Sequence, residues 1–188
     1  MSDEIKEAVP TYDDLLALPE HVVGEIVAGE LYVNPRPSAA HARASSVLGS
    51  DLGGPFDRGR GGPGGWWILD EPELHLESDV LVPDLAGWRR ERMPRIPDVA
   101  WFEIAPDWLC EVVSPRTARL DRTRKMPAYA RHGVSFLWMI DPKVKTLEVF
   151  RLFDGAWRLE SSHGGDETVR AIPFDAVELD LAALWIDS

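Results

Sequence analysis

A single cysteine, Cys110, stands among the 188 residues. With no second thiol, an internal disulfide is impossible, which excludes a disulfide-stapled secreted fold and favours a reducing, cytoplasmic compartment. No apolar run approaches the roughly 18 residues of a membrane span, and the opening Met1-Ser2-Asp3-Glu4 is acidic rather than signal-like, so no membrane partner is expected. Positive charge is scarce: 20 Lys plus Arg face 32 Asp plus Glu, a formal net charge of −12. A surface that acidic does not attract nucleic acid as a whole. Neither GxxxxGK[ST] nor GxGxxG occurs, so the glycine-rich stretch at 53–65 is not a nucleotide cradle. His75, His132 and His163 show no ligand spacing with one another, which leaves no zinc site. Internal repeats are absent as well.

What is present is ordinary globular composition, 45% hydrophobic and 28% charged, enough for one compact domain over 1–188 with its core in about 11–155. Two β-rich runs around Ala28-Gly29 predict a β-hairpin near the N-terminus. Ser38 is the expected N-cap of a helix reaching about Leu52, with Ala40, Ala44, Val47 and Leu48 on its apolar side. The segment 53–65, GGPFDRGRGGPGG, is expected to be a mobile surface loop. Strands are expected at 66–69, 74–76, 79–85 and 108–113, with the polar, Pro-broken 88–98 as a connecting loop. A helix over 121–132, bent at Pro127, precedes a buried strand at 136–140. Strands at 145–153, 156–161 and 169–172 and a short helix from Asp180 finish the chain. The mixture predicts an α/β (α+β) domain with a central mixed sheet flanked by helices.

Two strands carry a carboxylate where a bland core would hold an apolar residue. Period-two alternation puts Asp84 on the face of Val80 and Val82, and Glu111 on the face of Leu109 and Val113. An unpaired buried carboxylate is costly, so each must meet a cation, a hydrogen-bond network or water. The plainest account is that Asp84 caps the turn after Pro83 and Glu111 pairs with an arginine. The following helix puts Asp121, Lys125 and Tyr129 on one face at i, i+4 and i+8. An Asp–Lys pair so spaced is usually a solvated surface pair worth about 0.3–0.5 kcal/mol. Cys110 faces away from Glu111 and is expected to be a small buried hydrophobe. Trp66 and Trp67 are expected in core or interface, with base stacking as the alternative. The acidity is also uneven: residues 112–145 hold eight basic residues against two acids.

Taken in order, Gly24-Glu25-Ile26-Val27-Ala28-Gly29-Glu30-Leu31, Pro35-x-Pro37-Ser38-x-x-His41, Val82-Pro83-Asp84-Leu85, Leu109-Cys110-Glu111-Val112-Val113-Ser114-Pro115, Asp121-x-x-x-Lys125, Tyr129-Ala130-x-x-Gly133-Val134 and Leu137-Trp138-x-Ile140-Asp141-Pro142 resemble the Uma-type "putative restriction endonuclease" family of bacteria. That family belongs to the PD-(D/E)XK nuclease superfamily. The resemblance runs from about residue 11 to 155 and is carried by the order and spacing of these motifs together.

The resemblance implies a restriction-endonuclease-like core and a divalent-metal site, with Asp84 and Glu111 as catalytic metal ligands. The usual lysine, two residues after the second acid, is replaced here by Val113, and Lys125 from the following helix is the matching position. Mg²⁺ or Mn²⁺ is the expected cofactor, since two carboxylates plus water suit a hard cation and leave room for a phosphate. A lysine beside the attacking water orients or deprotonates it and offsets charge on the phosphoryl group. Glu25 is an auxiliary candidate for a third acid, the alternative being an exposed strand residue beside a turn. His41 is a further auxiliary candidate, read in the first place as a core histidine satisfied by a backbone carbonyl. The leading expectation is a metal-dependent endonuclease hydrolysing DNA as a homodimer. Its rivals are a catalytically silent DNA-binding or interaction module, favoured by Val113, and a nuclease for RNA or structured DNA.

Overall fold

The computed structural model describes residues 9–186. Its centre is a six-stranded mixed sheet built from β3 (Trp66–Asp70), β6 (Leu85–Arg89), β7 (Trp108–Val112), β8 (Phe136–Asp141), β9 (Thr146–Phe153) and β10 (Ala156–Gly164), in the order β10-β9-β8-β7-β6-β3. Only β7 and β8 run parallel, and the chain between them must therefore cross over one face of the sheet. That crossover holds α3 (Ala118–Leu120), a wide five-residue turn (Asp121–Lys125) and α4 (Met126–Arg131). After the short α1 (Tyr12–Leu16), the hairpin of β1 (Val22–Val27) and β2 (Glu30–Pro35) joins β4 (Leu74–Leu76) and β5 (Asp79–Leu81) in a smaller antiparallel sheet, order β2-β1-β5-β4. Ala28 and Gly29 both take positive φ, 52° and 78°, as a two-residue hairpin turn demands.

Alternation along β7 sorts the core into two layers. Trp108, Cys110 and Val112 pack with Ala44, Leu48 and Leu52 of α2 (Ala39–Leu52) and with Phe174, Leu181 and Leu184 from the C-terminal segment. Leu109 and Val113 face the other way, onto Ala128 and Tyr129 of α4 and onto Val27 and Leu81 of the smaller sheet. Asp79, 1% exposed, binds this second layer together. It accepts from the Ala28 backbone N–H at 2.8 Å and holds His132 at 2.7 Å and Arg131. Among the described residues no helix is long and apolar enough to cross a membrane.

Four expectations about elements need correction. Residues 79–85 are not one strand. β5 ends at Leu81, Val82-Pro83-Asp84 step between the sheets, and β6 begins at Leu85. Pro83 has no N–H to give to a ladder, so the sheet breaks there and Asp84 is freed from the face of Val80. Trp88 and Arg89 belong to β6 rather than to a loop; the Trp88 ring is buried and donates Nε1–H to Ile104 O at 2.8 Å. Gly53–Asp57 is a wide helical turn that prolongs α2, because Phe56 plugs into the core 4.7 Å from the Phe174 ring centre. Finally, the stretch 121–132 is not one regular helix: it opens with the wide turn at Asp121–Lys125, and Pro127, which has no N–H to bond back into that turn, stands in the first turn of α4.

Candidate active site

The site forms where β7, the 82–84 step, β1 and the crossover meet. Glu111 sits near the end of β7 and is 4% exposed. Its Oε1 accepts from Lys125 Nζ at 2.8 Å and from the Tyr129 hydroxyl at 2.5 Å. Glu25, 3% exposed on β1, accepts on Oε1 from the Val82 N–H and from Lys125 Nζ, each at 2.8 Å. Lys125 also donates to Val82 O at 3.3 Å, so ammonium and glutamate together clasp the peptide just before Pro83. Asp84 accepts from the Val112 N–H on Oδ2 at 2.7 Å, and its Oδ1 lies 2.5 Å from His41 Nε2. The first acid is thereby fastened to the residue that follows the second.

These groups border a cavity of about 250 Å³. Glu25, His41, Asp84, Asp121 and Lys125 line it, and Arg36 and Arg116 add positive charge to its walls. Glu111 is not itself in the lining, so its contact with the cavity runs through its neighbours. Among the described residues, no three His, Cys, Asp or Glu side chains converge closely enough to cage an ion alone.

Burial dominates the electrostatics. Taken alone it would lower the pKa of the Lys125 ammonium, but the adjacent Glu111 and Glu25 carboxylates outweigh it and hold that pKa well above its usual value. Burial drives Glu111 the other way, well above the carboxylate range; Lys125 opposes that shift, while Asp121, Asp84 and Glu25 add to it. Asp121 is pushed up to about 6, by burial first, against the pull of Lys125. The Tyr129 hydroxyl is raised well above its ordinary value by burial and by Glu111. Glu111, Glu25 and Asp121 thus act on one ammonium, and Asp84 acts on Glu111, a concentration of carboxyl groups whose ionised forms a further cation would favour.

Asp84, Glu111 and Lys125, distant in sequence, meet here, although the contacts of Lys125 are to Glu111 and Glu25 rather than to Asp84. Glu25 is buried and bonded, not an exposed strand residue. His41 requires a correction: its partner is the Asp84 carboxylate, not a backbone carbonyl, because the first turn of α2 lies beside the 82–84 step. The expected surface pair of Asp121 and Lys125 is also corrected. Both are buried, at 4% and 3% exposure, and no ion pair joins them among the described residues. Sequence reasoning passed over Tyr129 and Asp121 as site residues, although their i, i+4, i+8 spacing with Lys125 was the available signal. Val113, at the usual lysine position, is 4% exposed and packs in the second core layer. Cys110 is fully buried, which pushes its thiol pKa well up and suits the small hydrophobe expected. Trp66 packs against Phe174 and Trp67 donates to Met93 O beneath the Arg90 guanidinium, so both sit within the protein framework.

A mixed sheet with its crossover helix over one face and its acids at the β6–β7 junction is a restriction-endonuclease-like fold. The chain belongs to the Uma2 family, described as "Putative restriction endonuclease", whose model matches residues 9–182. Among solved structures it is similar to a "putative nuclease belonging to DUF820" from Anabaena variabilis, with a TM-score of 0.73 and 25% identity over 93% of this chain and 97% of that one. Comparison with curated proteins gave no match.

Proposed function

We propose that this protein is a metal-dependent endonuclease that hydrolyses phosphodiester bonds in DNA, with Asp84 and Glu111 holding Mg²⁺ or Mn²⁺ and Lys125 serving the attacking water. The observation that carries the reading is the position of Lys125 Nζ, 2.8 Å from Glu111 and from Glu25 although it comes from the crossover and not from β7. The donor set suits a hard divalent ion: carboxylate oxygens predominate, and no hydrogen bond among the described residues reaches Glu111 Oε2. Water and a substrate phosphate would complete the coordination. When bound, such an ion polarises a phosphoryl oxygen and acidifies water.

The side chains do the rest. Lys125, kept protonated by two glutamates, presents a fixed positive charge where a phosphorane would gather negative charge. Glu25 anchors that ammonium and the Val82 peptide, and so sets the distance between Lys125 and Asp84. His41 orients Asp84 through Oδ1 while Val112 N–H holds Oδ2. Tyr129 steadies the Glu111 carboxylate. Arg116, which no ion pair holds among the described residues, offers charge to the flanking backbone of a nucleic acid, while Arg36 is paired with Glu71 at 3.9 Å.

The test is nicking of supercoiled plasmid with Mn²⁺, run beside calorimetric Mn²⁺ binding. Asp84→Ala and Glu111→Ala should abolish both, and Lys125→Gln should abolish nicking while Mn²⁺ still binds. Unchanged metal binding in both acid variants would overturn the assignment. Tight DNA binding without turnover in the wild type would identify a silent module instead.

A further inference from the structure

The geometry points to a second phosphate subsite beside the acid cluster, so that the substrate strand lies across two adjoining cavities. The inference rests on the phosphodiesterase reading and extends it to the flanking nucleotide. The second cavity, about 410 Å³, is bounded by Ser38 and His41 at the start of α2, by Ser114 after β7, and by Pro142, Lys143 and Lys145 in the β8–β9 turn. Ser38, His41 and Ser114 line the first cavity too, so the two share a wall. A phosphate bound at Asp84 and Lys125 would therefore have its neighbour on the same strand beside the two lysines.

Two features suit this cavity to an anion. The first is where unpaired cations lie. Of the eight basic residues in 112–145, Arg122, Arg124, Lys125 and Arg131 are tied to acids. Among the described residues no ion pair holds Arg116, Arg119, Lys143 or Lys145, and three of these four line the two cavities. No acidic side chain lines the second cavity, unlike the first. The second feature is the N-terminus of the 14-residue α2, whose own first turn carries no acid; the Ser38 hydroxyl takes the His41 N–H, and Asp84 meets the His41 ring on the side of the first cavity. Lys145 itself has φ 56°, a left-handed geometry that Asn also adopts readily, which decides how it is best replaced.

The test uses the full chain with Lys143→Gln/Lys145→Asn, asparagine being chosen because it tolerates the left-handed turn. Binding of a fluorescent single-stranded oligodeoxynucleotide is followed by anisotropy without divalent metal, across a salt series. Loss of two phosphate contacts should weaken binding about tenfold at low salt and flatten the slope of log affinity against log salt by about 1.4. Lys143→Arg/Lys145→Arg should keep both, and the charge-matched control Arg151→Gln/Arg158→Gln, outside both cavities, should change the slope by less than half as much. With Mn²⁺, bis(p-nitrophenyl) phosphate, too small to reach the second cavity, should be cleaved within twofold of wild type while the KM for the oligonucleotide rises. Unchanged affinity and slope, or an equal loss in the control, would overturn the subsite. Failure of the wild type to cleave either substrate would instead sink the nuclease reading, and the binding series would still decide the subsite.

Discussion

Lys125 Nζ stands 2.8 Å from Glu25 Oε1, a buried ion pair that joins the crossover helix to the N-terminal hairpin. Removing one member of such a pair leaves an uncompensated charge out of reach of water, which typically costs about 3–5 kcal/mol. Lys125→Met should therefore lower the urea midpoint sharply, and Glu25→Gln in the same chain should restore part of the loss. A midpoint unmoved in Lys125→Met would show that the ammonium is not compensating these acids. Because stability and catalysis both pass through this lysine, nicking by its variants must be measured below their unfolding midpoints.

Tyr129→Phe removes one hydroxyl and keeps the ring that packs in the second core layer. Its bond to Glu111 is a buried contact to a carboxyl group, so the expected cost is about 1.5–3 kcal/mol in denaturant unfolding. Nicking should fall while the protein stays folded, since Glu111 retains only Lys125 on that oxygen. Wild-type stability in this variant would mean that Glu111 finds another donor.

Asp121 gives a pH signature. Its folded-state pKa of about 6 lies above the roughly 3.9 of an unfolded aspartate, so the folded protein binds the proton more tightly. The stability this group contributes is complete below about pH 4 and is lost as pH rises through about 6. Asp121→Asn should consequently gain on the wild type across that window, with the gain level at higher pH, in urea titrations run with chelator. A stability difference independent of pH between about 4 and 7 would contradict the shift.

How much of this was written in the sequence differs by residue. Asp84, Glu111 and Lys125 were legible because each sits in a motif with its own spacing, and the hairpin because Ala28-Gly29 allows only a tight turn. The break at Val82-Pro83-Asp84 was hidden, since the apolar alternation continues on both sides and only tertiary pairing decides which sheet each half joins. His41 was misjudged because its partner arrives from another element, and a helix wheel reports which side is buried but not what waits there. Asp121 and Tyr129 were passed over for a similar reason: i, i+4, i+8 spacing describes a solvated helix face and a helix face pressed onto buried acids equally well.

The wide turn at Asp121–Lys125 bears on how this protein tolerates change in length. It holds one residue more than a regular α-helical turn, so losing a residue from 122–124 would leave a regular helix and keep Lys125 and Tyr129 in step with each other. Between Lys125 and Tyr129 there is no such slack: at about 100° per residue, a deletion there would swing Tyr129 by more than a quarter turn and carry its hydroxyl away from Glu111. Chemical identity at these positions is then only half of what the site requires. The other half is phase, and it is set residue by residue in α4.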